Sequence, residues 1–215
     1  IFPDELELIA NGDFEDELLV NDKPAPPWYR NGIPNQNNSD GTITNFAGIA
    51  VKDGALKFAH RTRSSHGSAN WGYAMSCWQK IDVTGLNYID ISAAGTAVDM
   101  TNGPGVLRFG ISTSPGDTNG KNIVDSPQGY AQSTNALTSS FDLQTDQGVD
   151  SYLEWESADG TGVEKELLQI NVSAYNEVYV LITSFHEFTT ASETLTRTNF
   201  IDNLSATNSE GKNKE

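Results

Sequence analysis

The residues best suited to bind a polar ligand lie in the first half of the chain. Two arginines, Arg61 and Arg63, are followed after a short polar stretch by Trp71 and Tyr73. Guanidinium groups donate several hydrogen bonds in a planar fork, and aromatic rings offer flat apolar faces. The whole chain contains only 13 basic residues against 29 acidic ones. The concentration of arginines beside aromatics therefore predicts a polar-ligand site at Arg61, Arg63, Trp71 and Tyr73.

Catalytic side chains are harder to assemble from this sequence. The three histidines lack the spacing of metal-binding motifs, and no G-x-S-x-G nucleophile motif is present. The single cysteine, Cys77, lies in an apolar stretch, where we expect a small buried core residue. Glu154 and Glu156 have the spacing of a strand face and would be an acid–base pair only beside a cleft. These features predict a protein that is not an enzyme.

The acidic character of the chain excludes several classes of partner. Its formal net charge of −16 would repel a phosphate backbone, so we expect no nucleic acid partner. No stretch approaches the roughly 20 apolar residues of a membrane-spanning helix, so we expect no membrane insertion. One cysteine cannot form a disulfide within the chain. Carboxylates are nevertheless good calcium ligands.

Most of the chain is predicted to form β-strands, because its apolar segments are short and are bounded by turn residues. Lys52-Asp53-Gly54 reads as a hairpin turn between Ile49–Val51 and Ala55–Ala59, since Asp-Gly adopts positive φ readily. The other predicted strands are Tyr73–Val83, Asn87–Ala93, Val106–Thr113, Ser151–Ser157, Glu177–Phe185 and Phe200–Thr207. Helical turns are predicted only at Asp4–Ala10 and Val163–Gln169.

This pattern predicts one all-β domain. We expect a two-sheet antiparallel jelly-roll β-sandwich with about eight to ten strands and little helix. It would span residues 1–207, and the polar residues 208–215 would be a tail or linker. The polar segments 32–44, 61–70 and 114–140 are long for loops of a compact domain. Loops of this length are usually either functional or disordered.

Motifs near both ends of the chain resemble a known group of jelly rolls. The group is that of galactose-binding-like domains, which includes carbohydrate-binding modules of bacterial glycoside hydrolases. Asn11-Gly12-Asp13-Phe14-Glu15 resembles the opening strand of these domains, and Phe200-Ile201-Asp202-Asn203-Leu204 resembles their closing strand. Between them, Pro26-Pro27-Trp28, Trp78–Val83 and Ile170–Tyr175 occur in the order expected for this group. The resemblance covers the layout from Asn11 to Thr207.

The resemblance implies a structural calcium ion where the first and last strands meet. Glu15 and Asp202 would converge there, and two neighbouring carboxylates repel each other unless a cation lies between them. Calcium also requires further oxygen ligands, which flexible turns supply through backbone carbonyls. Asp13, together with Lys52 and Asp53 of the neighbouring turn, are the candidate additional ligands.

The resemblance also implies that the ligand is a polysaccharide or surface glycan. Modules of this group stack aromatic rings on sugar rings and orient the hydroxyl groups with polar side chains. Arg61, Arg63, Trp71 and Tyr73 would then edge the glycan-binding face, although the spacing between arginine and tryptophan is longer here than in the xylan-binding type. We expect the other tryptophans, Trp28, Trp78 and Trp155, to be structural core residues.

Three functions follow from these observations. The first is a non-catalytic carbohydrate-binding module, which would belong to a larger multidomain protein. The second is a structural or adhesive jelly roll of a phage particle or bacterial surface, which the long Asn, Gly and Ser-rich loops favour. The third is a glycan-active hydrolase on the same sandwich. All three predict an extracellular or secreted protein, or alternatively a component of a virion assembly.

Overall fold

The regular structure of the chain is almost entirely β. The computed structural model describes residues 6–15, 19–20, 23–24, 28–31, 47–61, 71–99, 105–112, 151–188 and 196–209. Its strands are β1 Leu19–Val20, β2 Lys23–Pro24, β3 Tyr29–Asn31, β4 Ala47–Lys52, β5 Ala55–Arg61, β6 Trp71–Asp82, β7 Tyr88–Thr96, β8 Gly105–Ser112, β9 Ser151–Glu156, β10 Val163–Asn171, β11 Glu177–Phe188 and β12 Thr196–Asn208. A short 3₁₀ turn, Ser157–Asp159, separates β9 from β10. Within these ranges no helix has the length and apolar character needed to cross a membrane.

The strands form two antiparallel sheets and a small hairpin. Sheet I has the order β10-β7-β12-β5-β4, sheet II has the order β3-β6-β11-β8-β9, and β1 pairs with β2. From β5 onward successive strands lie in opposite sheets, except for β8 and β9, which are neighbours in sheet II. Placing successive strands in opposite sheets is the arrangement of a jelly roll. The predicted two-sheet antiparallel jelly-roll β-sandwich is therefore confirmed.

Side chains at alternate strand positions fill the space between the sheets. The inner face of sheet I supplies Ile89, Ile91 and Ala93, and that of sheet II supplies Leu107, Phe109 and Ile111, all of them buried. The lone cysteine, Cys77, is fully buried among them, as predicted. Strand residues on one side of a sheet recur at every second position, so these runs pack as two interdigitating layers.

Trp155 belongs to this core, as the sequence predicted. Its side chain is fully buried, and its indole Nε1 donates a hydrogen bond to the carbonyl oxygen of Val163 at 2.7 Å. Gly95 of sheet I lies against the indole, and a Cβ atom there would be only 2.6 Å from the ring. The absence of a side chain at Gly95 therefore lets the two sheets close over Trp155.

The helical turn predicted at Val163–Gln169 was wrong, because this segment is strand β10. It pairs with β7 from Val163 to Asn171, with a bulge between Leu167 and Ile170. Val163, Lys165 and Leu167 are half-buried, whereas Glu164 and Glu166 are exposed. This two-residue period matches a strand and suits a sheet edge with one buried face. The turn predicted at Asp4–Ala10 is also absent from residues 6–10, where Glu7 instead forms a β-bridge with Thr207.

The hairpin predicted at Lys52-Asp53-Gly54 joins β4 to β5. Both Asp53 and Gly54 adopt positive φ, of 55° and 68°. Two consecutive residues with positive φ form the tight turn that suits the twist of paired strands. Asp53 Oδ2 also accepts a hydrogen bond from Lys57 Nζ at 2.9 Å. The hairpin prediction is confirmed.

The segment at residues 7–12 lies alongside β12, as the resemblance implied. The Leu8 amide donates to the Ala206 carbonyl at 2.8 Å, and the Leu204 amide donates to the Gly12 carbonyl at 2.9 Å. A Cβ atom at Gly12 would lie 2.0 Å from the Leu204 oxygen, so only glycine permits this approach.

Trp28 and Gln79 fix the same segment from the side of sheet II. The indole Nε1 of Trp28 donates to the carbonyls of Ala10 and Asn11, both at 3.0 Å. The buried amide of Gln79 accepts from the Ala10 N–H and donates to the Ala10 carbonyl. Trp28 is 1% exposed, so the prediction that it is structural is confirmed.

Candidate functional site

The ligand site predicted from the sequence lies at the ends of two strands. Arg61 is the last residue of β5 in sheet I, and Trp71 is the first residue of β6 in sheet II, which also contains Tyr73. The side chains of these three residues, and the whole of Arg63, lie outside the described part of the chain. A glycan-binding role for these four residues therefore stays a prediction.

A second set of aromatic and polar side chains lies on the side of sheet II that faces away from the core. We call this side the outer face of sheet II. It is defined by Trp78, Arg108, Tyr152, Glu154, Tyr179, Leu181 and Thr183, which alternate along their strands with core residues.

Trp78 is the first of these residues, and its predicted core position was wrong. Its neighbours Cys77 and Gln79 are buried toward the core, so strand alternation directs Trp78 to the opposite side, where it is half-buried. The ring of Tyr179 meets the indole edge-on, with centroids 5.6 Å apart and planes at 69°. The apolar strand around Trp78 concealed this exposure, because Ala74, Met75 and Cys77 gave no clear alternation.

Arg108 and Glu154 form an ion pair on the same face. They are direct partners in the β8–β9 register, and Arg108 Nε donates to Glu154 Oε2. Both side chains are partly exposed, and the guanidinium carbon lies 5.0 Å from the centroid of the Tyr152 ring. A guanidinium held by a carboxylate and an aromatic ring has a fixed plane.

The strand register sets the shape of this face. Trp78 pairs with Leu181, Leu181 with Gly110, and Gly110 with Tyr152. These four residues form one row across four strands, which spans about 14 Å at the usual strand spacing. The bulky rings lie at the two ends of the row, and Gly110 has no side chain in between. Leu181 and Gly110, in the middle of the row, are buried, so the two rings mark its ends.

The next row contributes polar groups to the outer face of sheet II. Thr183 pairs with Arg108, which in turn pairs with Glu154. Thr183 is 3% exposed, and its Oγ1 has no hydrogen-bond partner among the described residues. A buried hydroxyl without a partner costs free energy, so this position is a source of instability on the outer face.

A second ion pair lies at the rim of the face. Lys80 Nζ is 2.8 Å from Glu177 Oε1, and both side chains are largely exposed. The hydrogen bond and the negative charge of Glu177 raise the pKa of Lys80. Charge on this face is thus matched locally, at Lys80 with Glu177 and at Arg108 with Glu154.

The residues predicted to bind calcium lie where residues 11–15 contact sheet I. The Glu15 carboxylate lies against Gly54, where a Cβ atom would be 2.1 Å from Oε1. The Glu15 amide donates to Asp13 Oδ1 at 3.3 Å. Lys52, whose side chain is not described, ends β4 beside this turn. The opening segment and the β4–β5 turn therefore do come together.

Asp202 shares an electrostatic environment with Asp13. Partial burial is the largest influence that raises the pKa of Asp202, and the negative charge of Asp13 raises it further. The Asn203 amide, which donates to Asp202 Oδ1 at 2.6 Å, lowers the pKa in part. A cation beside Asp13 and Asp202 would relieve this repulsion.

A calcium ion at this position would depend largely on backbone carbonyl oxygens as ligands. Asp53 already accepts from Lys57, and the described residues contain no group of three acidic, histidine or cysteine side chains arranged for a metal. Calcium takes six to eight oxygen ligands, and backbone carbonyls are among them. Calcium binding by Glu15, Asp202, Asp13, Lys52 and Asp53 therefore stays a prediction.

The sequence interpretation missed the residues of the outer face of sheet II, although a signal was present. Leu107, Phe109 and Ile111 indicate the core side of β8, so the residue between the first two, Arg108, had to point outward. The same argument applies to Tyr179 between Val178 and Val180. Polar or aromatic residues at the non-core positions of central strands were therefore the signal that could have located this face.

Comparisons with known proteins are informative only at the level of three-dimensional structure. No protein-family model matches the chain, and no curated protein matches it. Solved structures that resemble it include the module TmCBM61 in complex with β-1,4-galactotriose, at 9% identity and a TM-score of 0.45, covering 94% of this chain and 97% of that one.

Two further solved structures resemble the chain over most of its length. A CBM4 module has 14% identity and a TM-score of 0.45, covering 92% of this chain and 97% of that one. A putative sugar-binding protein from Bacteroides thetaiotaomicron has 14% identity and a TM-score of 0.43, covering 94% of this chain and all of that one. Carbohydrate-binding modules are thus among the solved structures that resemble the chain, as the sequence motifs suggested. The fold assignment itself rests on the strand order described above.

Proposed function

We propose that this chain is a non-catalytic carbohydrate-binding module that acts outside the cell and binds a polysaccharide or surface glycan on the outer face of sheet II. The observation that carries the proposal is the row of Trp78, Leu181, Gly110 and Tyr152, which places an aromatic ring at each end of one line across the sheet.

Aromatic side chains on a sheet surface suit the faces of sugar rings. The C–H faces of a pyranose are apolar, and aromatic rings contact them at little entropic cost because they rotate about few bonds. Trp78 and Tyr179 hold each other edge-on, and Tyr152 is held by Arg108. These contacts fix the rings before a ligand arrives, which reduces the cost of binding.

Polar groups in the row beside the rings would orient the sugar. Arg108 and Thr183 pair with each other in the strand register, and the buried Thr183 hydroxyl has no partner among the described residues. A small-ligand site usually consists of apolar surface with a few well-placed polar groups. The charges of Arg108 and Glu154 balance, so the face suits a neutral glycan as well as a weakly charged one.

The carboxylates that could support hydrolysis have other roles. A glycosidase requires two carboxyl groups on opposite sides of the scissile bond. Glu154 is bound to Arg108, and Glu156 caps the 3₁₀ turn Ser157–Asp159 through reciprocal hydrogen bonds with Asp159. These contacts favour binding over hydrolysis for this face.

The proposal is tested by titration calorimetry and tryptophan fluorescence with xylan, mixed-linkage glucan and a panel of surface glycans. We expect micromolar to millimolar affinity for at least one of them, about −4 to −8 kcal/mol. Tyr179→Ala should weaken that binding, whereas Tyr88→Ala, which removes an exposed tyrosine from sheet I, should leave it unchanged.

Two results would overturn the assignment of this face. If Trp71→Ala abolishes binding and Tyr179→Ala does not, the ligand lies at the site first predicted from the sequence. If no saccharide binds at millimolar concentration, the structural or adhesive jelly roll of a phage particle or bacterial surface becomes the better interpretation.

A further inference from the structure

The outer face of sheet I carries a groove that the proposed glycan site does not use. Its volume is about 480 Å³, and residues of three strands line it: Ser92, Ala93 and Ala94 of β7, Glu164, Lys165 and Glu166 of β10, and Asn203 of β12. Small side chains of the middle strand form the floor, and longer ones rise from the flanking strands. The volume is in the range of sites that accept a few side chains or a small ligand.

One wall of the groove carries uncompensated negative charge. Glu164 and Glu166 are exposed and lie about 7 Å apart along the strand. Within the described parts of the chain, neither carboxylate has a hydrogen-bond or ion-pair partner. The intervening Lys165 does not neutralise them, because its Nζ points to the other side of the sheet. There it bonds to the Glu154 carbonyl and to Asp159, above the Trp155 ring.

Exposed apolar side chains continue the same face. Among the described residues the large exposed hydrophobic side chains are Leu6, Tyr88 and Leu168, and the last two lie on strands that line the groove, Tyr88 on β7 and Leu168 on β10. Leu168 follows Glu164 and Glu166 on the outer side of β10, and a hydrogen bond from the Gln169 amide to Asp90 Oδ1 at 2.7 Å secures the bulge beside it. Leu168 is 49% exposed and Tyr88 is 42% exposed.

We propose that this surface, defined by Tyr88, Ser92, Glu164, Glu166, Leu168 and Asn203, docks a polypeptide segment that carries lysine or arginine side chains next to apolar ones. The basic groups would pair with Glu164 and Glu166, and the apolar groups would cover Leu168 and Tyr88. Charge complementarity selects this occupant. A second copy of the chain is a poor occupant, because each copy has a net charge of −16 and the two would repel.

The surface is independent of the proposed glycan site, because it lies on the opposite sheet of the sandwich. A bound polysaccharide on sheet II should therefore not displace the segment from sheet I. Failure of either proposal leaves the other intact, and the two are measured with different ligands.

The test uses a short fluorescent peptide in which lysine alternates with leucine, with a control peptide in which glutamate replaces lysine. Fluorescence anisotropy should show micromolar binding of the lysine peptide to the 215-residue protein and none of the glutamate peptide. Leu168→Ala, and Glu164→Gln combined with Glu166→Gln, should each weaken binding at least about fivefold.

Matched variants separate docking from general attraction to an acidic protein. Leu6→Ala removes an exposed leucine elsewhere, and Glu177→Gln removes an exposed carboxylate from sheet II; both should bind the peptide like the parent. Amide chemical-shift changes should centre on Ser92, Glu166 and Leu168. Equal losses in the control variants, or shift changes spread over the whole acidic surface, would overturn the proposal, as would self-association in sedimentation experiments that involves Leu168.

Discussion

The two outer faces of the sandwich differ in how their charges and rings are arranged. On sheet II, Arg108 is paired with Glu154, and Trp78 is braced by Tyr179. On sheet I, Glu164 and Glu166 have no described partner, and Tyr88 and Leu168 are exposed. One face is thus organised and locally neutral, whereas the other is acidic with isolated apolar groups.

This difference shows that the fold alone does not determine where a sandwich binds. Each sheet has five strands, and both contribute to one core. What differs is the side chains at the non-core positions, which the core leaves free to vary. A preorganised neutral face suits a neutral ligand with many hydroxyl groups, and an acidic face suits a basic partner.

The largest effect is expected from truncating the core tryptophans, which both faces share. Trp28→Ala or Trp155→Ala should lower the free energy of unfolding by about 3–5 kcal/mol, because each leaves a large cavity. Trp78→Ala should cost clearly less, since this side chain is half-buried on the outer face. Urea denaturation measures all three, and a Trp78→Ala loss as large as that of Trp155→Ala would contradict the position described here.

Calcium-dependent stability should involve the rim of sheet I and not sheet II. We propose that calcium binds near Glu15, Asp13 and Asp202 and stabilises the fold by about 2.7 kcal/mol at a hundredfold excess over its dissociation constant. Thermal melts with calcium and with a chelator measure this. Glu15→Gln should reduce the difference, whereas Glu177→Gln on sheet II should not. An identical midpoint in calcium and chelator would exclude the site.

Tyr179→Ala sharpens the comparison on the side of sheet II. The loss of one stacking ring should weaken glycan binding about tenfold, which corresponds to about 1.4 kcal/mol. Titration calorimetry with the best-binding polysaccharide measures this effect. Binding of the lysine peptide should be unchanged in the same variant, and a parallel loss of both ligands would mean that the variant is partly unfolded.

Thr183→Val tests whether a polar group of sheet II contributes to glycan affinity, because the substitution keeps the shape of the side chain. The substitution replaces a buried hydroxyl with a methyl group of similar size. Affinity for the glycan should fall by about 0.5–1.5 kcal/mol if the hydroxyl bonds to the sugar. Stability should stay equal or rise, because an unsatisfied buried group is removed. Unchanged affinity together with raised stability would show that Thr183 has no part in binding.

The smallest expected effect is the pH dependence that Asp202 contributes near sheet I. Burial and the charge of Asp13 raise its pKa, so the folded state holds this proton more tightly than the unfolded state. Stability should therefore fall as the pH rises from the ordinary aspartate value, about 3.9, through the raised value. Urea melts across this range, with chelator present, should show a weaker fall in Asp202→Asn. In calcium the same variant should instead be less stable than the parent.

The sequence was sufficient to predict the strands but not the side of each sheet that binds. The predicted strand at Glu177–Phe185 lies within β11, and the turn at Asp53-Gly54 joins the strands expected. Core strands and tight turns have local signals, namely apolar alternation and residues that accept positive φ. The strand β10 was missed because Lys165 interrupts its inward-facing apolar residues.

Trp78 illustrates why the candidate site could not be predicted in the same way. Its local sequence is apolar, and an apolar tryptophan in a central strand suits a core position as well as a binding face. Only its register against β11 and the burial of Cys77 and Gln79 determine its direction. The partnership of Arg108 with Glu154 likewise depends on the pairing of β8 with β9, which are separated by 38 residues between Ser112 and Ser151.

The pairing of the opening segment with β12 has a mechanical consequence. Leu6 and Asn208 exchange hydrogen bonds, and the contacts then continue inward through Glu7 with Thr207, Leu8 with Ala206 and Gly12 with Leu204. Tension applied at Leu6 and Asn208 would open these contacts one after another, like a zipper, instead of shearing them all at once. The sandwich should therefore yield first at this seam under pulling force, while the two outer faces remain intact.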